Sequence, residues 1–335
     1  MRSAAGRSRS SRHSVTRSPE PDFNPVLVTG AAGFIGAAAV RRLLDEGRDV
    51  HALVKPEADT WRLDGVLDRV RVHPVDVMDS RAVAEAVRAA HPAAVVHLAT
   101  HGAYEWQAEE ARILETNILG TFHLLRASQD AGVRVFANAG SSSEYGYKSE
   151  PMRETDRLEP NSVYAVAKAA QTHLASLTAA KGGMAVVTFR LFSVYGPWEE
   201  PTRLMPTVIR RARAGLPLEM VSPDIARDFV YLDDVLTAML GFDALQERNG
   251  EIFNLGSGVQ STLRDVVDAV LDVLSSRSPV QWGAMAPRRW DSARWQADVD
   301  KAHRLLGWTP AHSLRDGIAR MAAWMETAGA AYATA

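Results

Sequence analysis

From Pro25 onward the sequence repeats one pattern: a short β-rich run, a turn, then a helical segment of ten or more residues. Val26-Leu-Val-Thr29 reads as a strand and Ile35 to Glu46 as a helix stopped by Gly47. Asp49-Val-His-Ala-Leu-Val54 and Arg69-Val-Arg-Val-His73 read as strands, followed by a helix from Ser80 to Ala90. Ala94-Val-Val-His-Leu98, a long helix over 108–131 and Arg134-Val-Phe-Ala137 continue the series, then a helix over 162–180 and the strand Ala185-Val-Val-Thr-Phe-Arg190. Strands that alternate with helices of this length predict an α/β fold, a doubly wound parallel sheet with helices on both faces. Ligands of such sheets sit at the carboxyl ends of the strands. After Tyr195-Gly-Pro197 the pattern changes to shorter helices (204–214, 233–245, 263–274), brief strands and Pro/Gly turns, which predicts a smaller C-terminal lobe. The expected divisions are a tail over 1–24, the sheet domain over 25–192 and the lobe, mainly, over 193–325.

Composition narrows the chemistry. A chain of 335 residues with 46% apolar and 23% charged residues reads as a soluble globular protein with a large core. A formal net charge of −2 gives no global electrostatic reason to bind nucleic acid or a membrane. The sequence has no cysteine, which excludes disulfides, thiolate metal sites and cysteine nucleophiles and fits a reducing cytoplasm. No His/Asp/Glu cluster has metal-ligand spacing, so no metal is expected. No uninterrupted apolar stretch reaches the roughly 18 residues that cross a bilayer. Residues 1–24 are rich in Arg and Ser, as an organellar leader or a disordered tail would be, and the tail is preferred.

Two local patterns carry chemistry. Val26-Leu-Val-Thr-Gly30-Ala-Ala-Gly33-Phe34-Ile35-Gly36 joins the first strand to the first helix. Glycines there permit a tight turn and close approach of backbone to a pyrophosphate, whose charge the helix N-terminus stabilises. Farther on, Tyr164 and Lys168 fall four apart on a predicted helix and therefore share a face. A free phenol titrates near pH 10, and a neighbouring cation is expected to bring it toward neutrality.

The spacing Gly-x-x-Gly-x-x-Gly, with Tyr164-x-x-x-Lys168, makes the chain resemble the short-chain dehydrogenase/reductase superfamily, specifically its extended branch of nucleotide-sugar epimerases, dehydratases and reductases. Asp76-Val77, His97-Leu98-Ala99, Asn117, Ser141-Ser-Ser-Glu-Tyr-Gly146, Arg190-Leu-Phe-Ser-Val-Tyr-Gly-Pro197, Arg227-Asp-Phe-Val-Tyr-Leu-Asp-Asp234 and Gly307-Trp308 extend the likeness to about Pro310. The resemblance implies a Rossmann-like nucleotide-binding domain and a substrate-binding lobe. It implies Tyr164 as acid–base group at a sugar oxygen, Lys168 on the nicotinamide ribose, and Ser141 hydrogen-bonded to the same oxygen. Gly30, Gly33, Phe34, Ile35, Gly36, Lys55, Asp76, Val77, Leu98 and Ala99 would surround NADP(H) or NAD(H). Lys55 ends the second strand where NAD-preferring relatives carry an acid, which leans the expectation to NADP(H).

Arg203, Arg227 and Arg289 would hold the phosphates of a nucleotide-diphosphate sugar, since guanidinium forks suit phosphate oxygens. Ser142, Ser143 and Ser193 would line the substrate, with His101 and Tyr104 at the sugar pocket; Trp198, Trp290 and Trp295 stack on a base or simply pack. Ser142 and Ser143 stand where related 4,6-dehydratases carry an Asp-Glu pair, and Glu144 is displaced by one residue. The expected reaction is therefore 4-keto-sugar reduction, with 4-epimerisation as the alternative and dehydration or a non-catalytic NADP-binding regulator ranked below. A homodimer through the helix before Ser141 and the Tyr164 helix is also expected.

Overall fold

The computed structural model describes residues 22–104, 106–286, 292–327 and Tyr332. In chain order the first body comprises β1 (Val26–Thr29), α1 (Phe34–Asp45), β2 (Val50–Val54), β3 (Val70–Pro74), α2 (Ser80–Ala90), β4 (Ala94–His97), α3 (Glu110–Leu114), α4 (Thr121–Asp130), β5 (Val135–Ser141), α5 (Val163–Lys181) and β6 (Ala185–Leu191). There follow β7 (Ser193–Tyr195), α6 (Leu204–Arg213), β8 (Leu218–Met220), β9 (Ala226–Tyr231), α7 (Leu232–Met239), α8 (Phe242–Gln246), β10 (Ile252–Leu255), β11 (Gln260–Thr262), α9 (Leu263–Val273), β12 (Val280–Trp282), α10 (Asp300–Leu306) and α11 (Leu314–Thr327).

The main sheet has the order β10-β6-β5-β4-β1-β2-β3, and every neighbouring pair is parallel. Strand order reverses beside β1, so a crevice opens there at the carboxyl ends. β1, β2, β4 and β5 are buried along their whole length, as a sheet covered by helices on both faces requires. Local sequence sets the helix starts. Asp79 Oδ1 accepts from the Arg81 and Ala82 amides at the start of α2, and Ser162 Oγ from the Ala165 amide at the start of α5. Such caps are worth about 1 kcal/mol each.

Three departures from the sequence expectation matter for the site. The single helix expected over 108–131 is α-helical in α3 and α4 but takes the wider π form over Glu115–Gly120 between them. The helix expected over 233–245 breaks at Gly241, the N-cap of α8. β10 pairs with β6 from within the expected lobe, and Leu232, Val235, Phe242, Leu245, Ala302 and Trp308 join the core of the sheet. The remainder of the second body has its own core (among others Met205, Ile209, Val266, Val270, Ile318 and Met321) around the sheet β11-β9-β7 and the pair β12-β8. Phe23, which the sequence reading left in the tail, is buried against Phe242. No helix among the described residues is long and apolar enough to cross a membrane.

Candidate active site

The glycine turn fits a phosphate-bearing dinucleotide by the space it leaves. Gly30 has a φ of +63°, and a Cβ there would stand 2.7 Å from the Ala99 nitrogen. A Cβ on Gly36 would stand 2.0 Å from the Gly30 carbonyl oxygen. Only hydrogen fits at either position, so backbone alone forms the mouth of the crevice at the N-terminus of α1. Phe34 and Ile35 form the first turn of that helix and pack onto the core. On the facing strand, the Leu98 and Ala99 amides donate to Thr29 Oγ1 at 3.2 and 3.1 Å.

His97 is buried beneath them, between Thr29 Oγ1 (2.7 Å) and Thr121 Oγ1 (2.9 Å). Thr121 spends its own proton on the Asn117 carbonyl, so His97 donates from Nε2 and accepts at Nδ1. That is the neutral ring, and burial pushes its pKa down to about 3.

Around Tyr164 the hydroxyls of Ser141 and Thr100 gather into a relay. Tyr164 lies half-buried in the first turn of α5, and Ser141, at the end of β5, and Thr100, after β4, stand close enough to favour its ionised form. The Thr100 hydroxyl also lies 3.1 Å from Asn117 Oδ1. Thr100 and Ser141 both favour the ionised phenol, as hydroxyls that donate to its oxygen do. Asn117 comes from the π turn and also brackets His101, accepting from its amide at 2.9 Å and donating to its carbonyl at 2.8 Å. Thr100 had no distinguishing mark in the sequence; its role comes from this packing.

Lys168 is one helical turn on, and its ammonium hydrogen-bonds the backbone and a neighbouring side chain rather than the phenol. It donates to the Ala139 carbonyl at 2.5 Å and to Gln171 Oε1 at 2.7 Å. Gln171 in turn donates to Asn138 Oδ1 at 2.8 Å, and Asn138 to Thr188 Oγ1 at 3.1 Å. Burial pushes Lys168 down to about 8 against the opposing charge of Glu144. The Tyr164 phenol is raised, first by burial; the hydrogen bonds of Ser141 and Thr100 and the charge of Arg203 pull the other way. The expected lowering by a cation is thus supplied in part by Arg203.

Glu144 is wholly buried beside Ser141, and its charge raises the Tyr164 phenol. Oε1 accepts from the Ser141 amide (2.8 Å) and Thr172 Oγ1 (3.0 Å), and Oε2 from Arg190 Nε (2.9 Å). With the Ser141 hydroxyl accepting from the Ser143 amide, it closes a capping box over the short helical turn Ser142–Tyr145. Ser142 is buried with its Oγ accepting from Trp295 Nε1 at 3.0 Å, and Arg227 lies 5.7 Å over the Trp295 ring. These contacts bring Arg227 and Ser142 to one side of the site. Ser193 lies in β7, partly buried, in register with Phe229.

On another side Arg203, at the start of α6, reaches within 5.9 Å of the Tyr104 ring. Gly102 connects that ring to the relay: a Cβ on it would be 3.2 Å from Tyr164 Cδ2. Trp198 packs among Trp61, Trp324 and Arg41 rather than facing a base. At the far end of the crevice Lys55 is exposed after β2, and Val77 is buried against Gly120. Asp76 accepts from Arg112 Nη2 at 2.6 Å, a partner the sequence did not suggest. Arg289 and Trp290 lie outside the described residues. Among those described, no group of three or more His, Cys, Asp or Glu residues could hold a metal ion.

Comparison with known proteins decides the family. The model of the NAD dependent epimerase/dehydratase family matches residues 26–256. The chain belongs to that family. It is an NAD(P)-dependent enzyme of the extended short-chain dehydrogenase/reductase type, with the Rossmann-like sheet that the family carries. A dTDP-glucose 4,6-dehydratase of Streptomyces antibioticus is 32% identical over 89% of this chain and 91% of its own. The solved structure of MoeE5 in complex with UDP-glucuronic acid and NAD has a TM-score of 0.79 at 32% identity, covering 90% of this chain and 99% of that one. The UDP-glucose 4-epimerase of Thermotoga maritima, solved with UDP-glucose, has a TM-score of 0.82 at 26% identity, covering 90% and 98%.

Proposed function

We propose that the protein is a nucleotide-sugar 4-epimerase acting on a hexose carried by a nucleoside diphosphate. The observation that carries this reading is that Glu144, the acid nearest the Ser141 hydroxyl in the chain, is already committed to the Ser141 amide, Thr172 and Arg190. Elimination of water calls for an acid–base pair of its own next to the catalytic hydroxyl. Here those places hold Ser142, engaged by Trp295, and Ser143, neither of which titrates near neutrality. Oxidation and reduction at one sugar carbon need only a proton carrier at its oxygen.

The glycine turn, Leu98, Ala99 and Lys168 would hold the dinucleotide, which when bound supplies the hydride acceptor and donor. Tyr164 gives a proton to the sugar oxygen or takes one from it, while Ser141 donates to the same atom. Arg203 and Arg227 stand to receive the diphosphate. The lobe would supply most of the remaining substrate contacts.

The reductase that the sequence ranked first becomes the second reading. It is favoured by Lys55, exposed at the end of β2 with no carboxylate beside it in the chain, a suitable contact for a 2′-phosphate. Epimerisation ranks higher because a solved relative with this fold is itself a 4-epimerase. Purified protein given UDP-glucose or dTDP-glucose and no nicotinamide should form the C4 epimer. Stoichiometric consumption of NADPH on a 4-keto sugar, with no epimer formed, would reverse the ranking.

The partner we propose is a second copy of the chain. Leu119, Phe122, Val166 and Leu177 are exposed on the π turn, α4 and α5, the two helices the sequence expectation named. Leu177→Glu should convert a dimer to monomer in light scattering; an unchanged mass would remove those helices from the interface.

A further inference from the structure

Glu199 is a buried acid that the hydroxyl relay does not use. It lies in the turn between β7 and α6 with only 4% of its surface exposed. Its Oε1 is 3.7 Å from Arg203 Nε, beyond hydrogen-bond length, and Oε2 is buried without a partner. The other such orphans among the described residues are arginine nitrogens and hydroxyls, so Glu199 is the carboxylate of the set. Burial pushes its carboxyl up to about 8 in spite of Arg203. A buried polar atom left unpaired is costly and calls for an explanation, and one explanation is a ligand that completes it.

The backbone beneath Glu199 is fixed with unusual effort. Trp198, immediately before it, holds a φ of +70°, a region in which a bulky L-residue is strained. The carbonyls of both residues are tied from distant parts of the chain. Arg62 Nε donates to the Trp198 oxygen at 2.8 Å, and the Tyr332 hydroxyl donates to the Glu199 oxygen. Tyr332 is itself held between Trp61 and Trp324. Strain maintained by such anchors points to a side chain that must be presented in one place.

Two side chains lead from that place toward Tyr164. Arg203, the neighbour of Glu199, approaches the Tyr104 ring and carries charge that acts on Tyr164. Tyr104 follows Gly102, whose backbone packs on the Tyr164 ring. We propose that Glu199 is a specificity-determining residue of the sugar site, its Oε2 hydrogen-bonding a hydroxyl of the bound hexose. A hexose hydroxyl is a neutral donor of the right kind; it completes the carboxyl without asking Arg203 to move. A site built to bond a hydroxyl discriminates strongly against ligands that lack it, because the buried group is then left unpaired.

The inference rests on the nucleotide-sugar reading above, and the test separates the two. Calorimetry gives Kd for UDP and UDP-glucose, and for dTDP and dTDP-glucose, with the full-length wild type, Glu199→Ala and Glu199→Gln. The quantity read is the gain in affinity from adding the glucose. Glu199→Ala should reduce that gain tenfold or more with affinity for the bare diphosphate unchanged. Glu199→Gln, which keeps an acceptor and a donor, should hold the gain within about threefold of wild type. Because glutamine is close in shape to a carboxyl that burial keeps largely protonated near neutrality, that variant should melt no lower than wild type. A wild-type gain left intact in Glu199→Ala overturns the inference alone. So does a Glu199→Gln protein that melts far below wild type, since the residue is then structural. Wild-type protein that binds neither diphosphate overturns the nucleotide-sugar reading, and the inference falls with it.

Discussion

Replacing Glu144 by glutamine keeps the shape of the side chain and removes its charge, and the structure makes the consequence calculable. The amide oxygen can still accept from the Ser141 amide and Thr172. The amide nitrogen then meets Arg190 Nε, donor against donor, where Oε2 now accepts at 2.9 Å. Arg190 is 2% exposed, and its remaining bonds go to neutral oxygens of Tyr145 and Glu154. Removing one partner of such a buried pair costs about 3–5 kcal/mol, because the other charge stays in the interior. Glu144→Ala should cost a further 1–3 kcal/mol or so, since the Ser141 amide and the Thr172 hydroxyl lose their acceptor as well. Urea unfolding should show the midpoint falling at unchanged m-value. The double variant Glu144→Leu/Arg190→Met should recover most of the loss, as both charges leave together. A Glu144→Gln protein destabilised by less than about 1 kcal/mol, yet tenfold or more slower, would refute the reasoning. Glu144 would then be a free acid at the site, and the case against water elimination would fail.

Tyr164→Phe should lower turnover by about 10²–10⁴-fold. Thr100→Val should lower it less and move the basic-group limb of the kcat profile to higher pH, because the lost hydrogen bond was holding the phenol down. Lys168 supplies a test by linkage: its folded pKa of about 8 lies below the unfolded 10.5. Between those values the unfolded chain binds more protons, so stability rises with pH across that window, and Lys168→Met should flatten the rise in urea midpoints. At the glycine turn, Gly36→Ala puts a Cβ 2.0 Å from a carbonyl oxygen, whereas Gly33→Ala meets its nearest atom at 3.1 Å with a φ of −80°. Gly36→Ala should lose nicotinamide affinity tenfold or more and about 1–3 kcal/mol of stability, while Gly33→Ala should keep its stability within about 1 kcal/mol in urea unfolding.

Elements whose signal is local were legible in the sequence. β1 and α2 have the predicted bounds because an apolar run in one case and a periodic stripe behind Asp79 in the other suffice to set them. The π turn over Glu115–Gly120 was not, since its residues would serve an α-helix equally well; the distinction depends on Asn117 bracketing a loop from β4. β10 is four residues long and becomes a sheet strand only by meeting β6. The site divides in the same way. Gly30, Gly36, Ser141, Tyr164 and Lys168 sit in spaced patterns within one segment each. Thr100, Arg112, Gln171 and Glu199 gain their roles from neighbours far along the chain, and no spacing announces them. The expected effect of Lys168 on the Tyr164 phenol came from helix spacing and the family resemblance, but neither announces that the Ala139 carbonyl and Gln171 hold the ammonium.

The route of the chain between its two bodies bears on how the enzyme comes apart. After β6 it leaves the main sheet for β7, α6, β8 and β9, returns for α7, α8 and β10, and leaves again for β11, α9 and β12. It comes back with α10 and Trp308 and ends its described helices on the second body with α11. No single peptide cut releases either body whole. Limited proteolysis should therefore yield nicked protein rather than a stable fragment, and heat should melt both cores in one transition. A graft exchanging the second body between relatives would need several matched junctions, so this architecture favours changing specificity by point substitution over domain shuffling.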